Sequence, residues 1–220
     1  MDYILETISD DHHPPLFYRL STSDAENYTA VFHQKDYGSI DFSHEPTTIF
    51  DLGAYVGFSA VYLSRRFPRA TIICVEPNPE SYEILKKNIA PYPNIHAIHA
   101  GIWTKSGFLE IVGQNYGEWG TFVRYSATPT DIRALTLADV SRFSESVGGK
   151  SVPDFMKIDI EGSEKVVFSE PNDIIPQTGI ISVELHDRFV SGCTKAVVDA
   201  LSDFREGKRS GENRVFYREN

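Results

Sequence analysis

Two short runs gather the side chains best suited to acid–base or metal chemistry. Lys157-Ile158-Asp159-Ile160-Glu161-Gly162 leaves one apolar stretch, and Val183-Glu184-Leu185-His186-Asp187 leaves another. Residues two apart on a strand point the same way. Asp159 with Glu161, and Glu184 with His186, are therefore expected to face one side of a sheet edge. On neighbouring strands, three carboxylates and an imidazole would meet. Carboxylates that close raise one another's pKa unless a cation, a metal or a substrate amine neutralises them. Two uses follow. In one, His186 is a general base that takes a proton from a substrate hydroxyl, oriented by Asp159 or Glu184. In the other, Asp159, Glu184 and His186 hold a hard divalent ion such as Mg2+ that lowers the pKa of that hydroxyl. The bland counterpart is a set of solvated strand-end residues plus one helix-capping acid. Lys157 is read as a salt-bridge partner without chemistry of its own.

A second constellation is the run Asp51-Leu52-Gly53-Ala54-Tyr55-Val56-Gly57-Phe58-Ser59, between a strand-like and a helix-like segment. Gly53 permits a positive φ and a close backbone approach by a ligand, and Gly57 lets the helix pack close to the sheet. The helix N-terminus offers free N–H groups to a polar ligand. A dinucleotide fingerprint needs a third glycine, and Tyr55 crowds the place of a pyrophosphate. A compact nucleoside without phosphates fits better. Glu76, followed by Pro77, ends the next strand at the interval where a ribose-binding carboxylate is expected; the plain alternative is a surface glutamate. Asp51, at the mouth of the loop, suits an α-amino group, for which a dehydrogenase has no use. Ribose and α-amino group together describe S-adenosylmethionine.

The elements that must carry these residues are legible from residue 47 onward. Apolar runs bounded by turn residues mark strands at 48–52, 70–75, 94–100, 155–160 and 179–185, with a last one at 214–217. Helical patterns occupy 58–67, 135–143, 162–168 and 194–204, and Asn78 caps a helix from Pro79 that stops before Pro91. Segments 107–112 and 121–125 alternate between glycines, which predicts an antiparallel excursion. Strands alternating with helices mean an α/β fold with a mostly parallel sheet covered on both faces, binding ligands at the carboxyl ends of its strands. Residues 1–46 are polar and irregular but rich in aromatics. They are expected to be an N-terminal extension of short elements packed on the 47–220 domain. His12 and His13 read as solvated loop histidines.

Composition bounds the rest. The 220 residues carry 21 Lys and Arg against 31 Asp and Glu, a net charge of −10. That argues against a duplex-binding protein, which needs a basic stripe. Cys74 and Cys193 lie far apart and form neither a disulfide framework nor a cysteine zinc site; Cys74 reads as a buried strand residue. No apolar run approaches the roughly 18 residues of a membrane span, and residues 1–10 do not read as a signal peptide. The expectation is a cytoplasmic protein acting on a small molecule, with no nucleic-acid or membrane partner. Its oligomeric state is not readable.

At these residues the sequence resembles the FkbM family of S-adenosylmethionine-dependent methyltransferases over about 47–189. The likeness rests on Phe50-Asp51-Leu52-Gly53-Ala54-Tyr55-Val56-Gly57, Val75-Glu76-Pro77-Asn78, the run from Lys157 to Glu164, and Glu184-Leu185-His186. It implies a Rossmann-like class I methyltransferase sheet of seven strands and methyl transfer, typically to a hydroxyl of a sugar, polyketide or other natural product. By position, Asp51, Gly53, Ala54, Tyr55 and Gly57 would line the methionine end of the cofactor. Glu76, beside Pro77, would hold the ribose; Ala100 and Gly101 would lie by the adenine, and Asp159 nearest the methyl group. The sequence runs only a little beyond Tyr217, which is expected to leave little room for the family's full terminal strand pair. A loop at 115–120 with Trp119 is a candidate cover for the site. A nitrogen acceptor, a catalytically silent cofactor-binding module and an NAD-dependent oxidoreductase are the rival readings.

Overall fold

A computed structural model describes residues 3–112 and 122–219. The chain opens with an antiparallel hairpin, β1 (Leu5–Asp10) and β2 (His13–Arg19), then α1 (Asp24–Tyr28) and a π-helical turn, Thr29–His33. Alternation follows: β3 (Thr48–Leu52), α2 (Phe58–Arg66), β4 (Thr71–Glu76), α3 (Pro79–Ile89) and β5 (Ile95–Ile102). Next come β6 (Gly107–Ile111), β7 (Val123–Ser126), β8 (Ile132–Leu135) and α4 (Leu137–Ser146). The last part holds β9 (Phe155–Ile158), α5 (Glu164–Ser169), β10 (Ile180–Val183), α6 (Cys193–Ala200), β11 (Phe204–Glu206) and β12 (Arg214–Arg218).

Among the described residues, ten strands form one sheet in the order β11-β12-β10-β9-β3-β4-β5-β8-β6-β7. The five strands from β10 to β5 run parallel. This is the expected Rossmann-like α/β fold. β3 is buried at every position because both sheet faces are covered, and its alternation divides two cores. Ile49, Ile72 and Cys74 pack toward α2 and α3, whereas Phe50, Ile73 and Val75 pack toward α4, α5 and α6.

Several boundaries differ from the sequence reading. Among the described residues the seven strands from β11 to β5 are joined by the antiparallel excursion, since β6, β7 and β8 extend the sheet beyond β5. β8 occupies the first residue assigned to the helix at 135–143, and Thr136 starts α4 with a reciprocal capping box to Asp139. The helix expected to reach 204 ends at Ala200, and Phe204 begins a three-residue strand. That brevity completes the terminal pair, with β12 antiparallel to both β10 and β11. The N-terminal segment is bound to the core by Asn88 of α3, whose side chain accepts from the Phe17 N–H and donates to the Phe17 and Val56 carbonyls.

Candidate active site

The parallel strands end at a cleft of about 400 Å³, within the usual range for small-molecule sites. Gly53, Tyr55, Glu76, Pro77, Ala100 and Gly101 line one half; Asp159, Glu161 and Glu184 line the other. The loop after β3 turns at Gly53, whose φ of 78° suits glycine. A Cβ there would lie 1.7 Å from the Asp159 carbonyl oxygen. The close approach is therefore made by the β9 exit, not by a ligand as the spacing suggested. Gly57 is the left-handed N-cap of α2, and a Cβ on it would strike Leu85 of α3 at 2.5 Å, so the close packing it permits is against a helix.

Asp51 does not face the cleft. Its carboxylate is fully enclosed, accepts from Ser59 Oγ at 2.5 Å and pairs with Lys157 Nζ at 3.3 Å. The alternation that buries its neighbours turns it toward α2, which removes the expected direct contact with an α-amino group. Ala54 is also buried beneath the loop. Lys157, read from the sequence as a bystander, ties the site together: Nζ donates to the Gly53 carbonyl at 2.5 Å and pairs with Asp51 and with Asp159 at 3.4 Å. Register could have revealed it, since Asp51 sits directly opposite Lys157.

Glu76 lies at the lip of the cleft. Its Oε2 accepts from the Tyr55 N–H and its Oε1 from the Asn78 N–H, both at 2.8 Å. Each oxygen keeps a lone pair for a diol. Burial pushes the carboxyl up to about 7 against the pull of those two N–H groups. Tyr55 adopts a left-handed φ of 51° and sends its ring to the N-terminal segment. Its hydroxyl meets Ser23 Oγ at 2.9 Å, and its face meets the Arg19 guanidinium.

At the other half the expected cluster assembles, for a partly different reason. β9 ends at Ile158, so strand alternation does not orient Glu161. Instead Glu161 takes a left-handed φ of 52°, and its Oε2 returns to 3.3 Å from His186 Nε2. Glu184 Oε1 lies 3.4 Å and Asp159 Oδ1 3.6 Å from the same nitrogen. Asp159, Glu184 and His186 form a group whose ligand atoms lie within 4.8 Å of one another. His186 itself is enclosed behind these carboxylates and is not part of the cleft wall. Burial lowers its pKa, but Glu164, Glu184 and Glu161 outweigh that and push it up to about 11. A ring so placed and so paired is not positioned to take a proton from a substrate, which corrects its reading as the general base.

Glu164 is not singled out by the sequence reading. It is completely buried, accepts from the Ile160 and Gly162 N–H groups at 3.1 and 2.7 Å, and meets His186 Nδ1 at 2.9 Å. The N-terminal segment supplies a further wall through Ser23, Asn27, Gln34 and Asp36, joined by Glu212 and Asn213 from the far end of the chain. Burial, then Glu184 and Glu212, push Asp36 up to about 6. Trp119 and the 115–120 loop lie outside the described residues. His12 and His13 sit exposed at the hairpin turn, with His13 Nδ1 2.9 Å from Asp10.

Comparison with known proteins agrees with the fold. Residues 51–206 match the methyltransferase FkbM domain. The chain is similar to methyltransferase sdnD of Sordaria araneosa, 25% identical over 180 residues that cover 67% of this chain and 69% of that protein. A stretch of 62 residues is 32% identical to malonyl-(acyl-carrier protein) O-methyltransferase of Halalkalibacterium halodurans, covering 28% of this chain and 23% of that one. Among solved structures, methyltransferase FkbM from Methylobacillus flagellatus KT shares the fold with a TM-score of 0.55 and 17% identity. That match covers 86% of this chain and 47% of the other, so the chain spans about half of that protein's length.

Proposed function

This chain belongs to the methyltransferase FkbM family, and on that premise we propose that it methylates a hydroxyl oxygen of a small molecule. The family implies S-adenosylmethionine as donor. The observation that carries the reading is one cleft that joins Glu76 and the Gly53–Tyr55 loop to the carboxylates of Asp159, Glu161 and Glu184. Glu76 holds the ribose diol through the lone pairs left by its two backbone donors. Gly53 and Tyr55 border the amino-acid end, Pro77, Ala100 and Gly101 border the base, and Asp159 receives the α-amino group in place of the enclosed Asp51. Ala54, Asp51 and Gly57 act beneath the loop by fixing its turn.

When bound, the donor supplies a methyl carbon made electrophilic by its sulfonium, so the new C–O bond forms as the C–S bond breaks and its electron pair stays on sulfur. The protein must align the acceptor oxygen and take its proton. Asp159, Glu161 and Glu184 face that position, and His186 with Glu164 holds them as a positioning pair. The wall is acidic, with Asp36 and Glu212 added to the three, and so favours a neutral or cationic acceptor over an anionic one. Residues 1–46 act as an extension that shapes this wall.

Calorimetric titration with S-adenosylhomocysteine tests the reading. Micromolar binding that is lost in Glu76→Ala and absent for NAD is the expected result, followed by mass-shifted product from a panel of hydroxyl compounds. No nucleoside binding would sink the assignment. Binding without turnover on any acceptor would favour a silent module, and product methylated at nitrogen would move the acceptor atom.

A further inference from the structure

At the centre of the acidic cluster a buried nitrogen has carboxylates around it at ion-pair distance but no hydrogen bond. His186 is 0% exposed and its Nε2 makes no hydrogen bond. The other ring nitrogen is fixed by Glu164 at 2.9 Å, and Glu164 is itself locked by the Ile160 and Gly162 N–H groups. A carboxylate that holds one imidazole nitrogen and leaves the other bare is the usual support of a metal-ligating histidine. Around that nitrogen stand Glu161 Oε2, Glu184 Oε1 and Asp159 Oδ1 at 3.3, 3.4 and 3.6 Å. Glu161 Oε2 is likewise buried without a hydrogen bond.

Spacing and donor types together bound the occupant. Neighbouring ligands of an octahedral ion lie √2 bond lengths apart, roughly 2.9 Å for magnesium and about 3.3–3.7 Å for the longer bonds of calcium, about 2.3–2.6 Å. The oxygens stand 3.3–3.6 Å from Nε2, wider than a magnesium shell, and the ligand atoms of Asp159, Glu184 and His186 lie within 4.8 Å of one another. One imidazole nitrogen among carboxylate oxygens suits a first-row divalent ion at the oxygen-preferring end of the series. We propose that Asp159, Glu184 and His186 bind a divalent cation of the manganese kind at the acceptor half of the cleft, with Glu164 fixing the imidazole.

The purpose of the site rests on the methyl-transfer reading, though its existence does not. An acceptor oxygen completing the ion's shell would have its O–H acidified. The proton passes to the Glu161 carboxylate, and the oxygen lone pair is left free to form the C–O bond. The rival occupant is an ammonium group of the acceptor, which needs no metal.

The full chain, stripped with EDTA and dialysed, is titrated with Mn2+ while the free-ion electron paramagnetic resonance signal is followed. Stoichiometric binding is expected. Glu184→Gln, at a partly exposed position, should weaken it at least about tenfold, and Glu164→Gln by about 10–100-fold. Nitrogen modulation in the spin-echo spectrum of the bound ion should vanish in His186→Gln. No stoichiometric Mn2+ binding by the unaltered chain, or equal binding by Glu184→Gln, overturns the proposal. S-adenosylhomocysteine calorimetry on the same samples separates the two readings. Nucleoside binding without Mn2+ binding removes the metal site alone. Mn2+ binding without nucleoside binding removes the methyl-transfer reading and leaves the site. Nucleoside binding retained in Glu184→Gln shows that variant to be folded.

Discussion

Glu76 holds its two oxygens against backbone N–H groups at the lip of the cleft, and burial pushes its carboxyl up to about 7. Ligand-free, the group is about half protonated at neutral pH, whereas a ribose diol and two N–H donors all require the ionised form. The affinity for S-adenosylhomocysteine should therefore fall below about pH 7, by up to about tenfold per unit, because one proton must leave on binding. Titrations between pH 5.5 and 8.5 read this directly, and Glu76→Gln should flatten the profile while weakening binding throughout. A flat profile for the unaltered chain would remove Glu76 from the diol. Lys157 is the structural counterpart: it is 3% exposed and shared by Asp51, Asp159 and the Gly53 carbonyl. Lys157→Met leaves two carboxylates without their cation, one of them fully enclosed, and should cost about 3–5 kcal/mol in urea unfolding. A loss below about 1 kcal/mol would show that the loop does not depend on it.

Among the elements, α3 does two jobs at once. Its N-terminal end is capped by Asn78, which accepts from the Glu80 and Ser81 N–H groups, and its last turn carries Asn88, the bridge to both β2 and the cofactor loop. Asn88→Ala breaks three hydrogen bonds, two of them to the N-terminal hairpin, and should destabilise the chain by about 3 kcal/mol. Urea unfolding measures the loss, and faster proteolysis confined to residues 1–46 would locate it. The cap at Asn78 and the stop before Pro91 were readable because each is local chemistry. Apolar runs and breakers likewise gave the parallel strands. β8 was not readable, because four residues with Arg133 among them carry no run distinct from a helix start. β11 was hidden because Val197, Leu201 and Phe204 continue a helical period past the point where the helix ends. The acidic cluster was legible because its members leave adjacent strand ends. Asp36, Glu212 and Asn213 join the same cleft only through packing between distant parts of the chain, and no spacing along the sequence announces that.

Across the whole molecule, ionisation should set a stability optimum on the acid side of neutral. At pH 7 the chain carries a net charge of −10, which works against compaction. Asp36 and Glu76 titrate at about 6 and about 7, well above the carboxylate values of an unfolded chain. The folded state therefore retains protons that the unfolded state has lost, and the stability this provides disappears as pH rises from about 4 to about 7. Asp24 works in the opposite sense. Burial would raise it, but the Arg19 guanidinium and backbone N–H, with Oδ1 and Oδ2 each engaged, hold its carboxyl below the usual range. Its contribution is complete above the unfolded value of about 3.9 and is lost as pH falls through the lower folded value. The two trends cross between about pH 4 and 6. Urea midpoints of the ligand-free chain, taken from pH 3 to 8, should peak in that interval and decline toward neutrality. Asp24→Asn should lower the peak, since Arg19 is then buried without its counter-charge, and should flatten the acid limb alone. An optimum at or above pH 7, or an acid limb in Asp24→Asn parallel to that of the unaltered chain, would mean that other groups govern the balance.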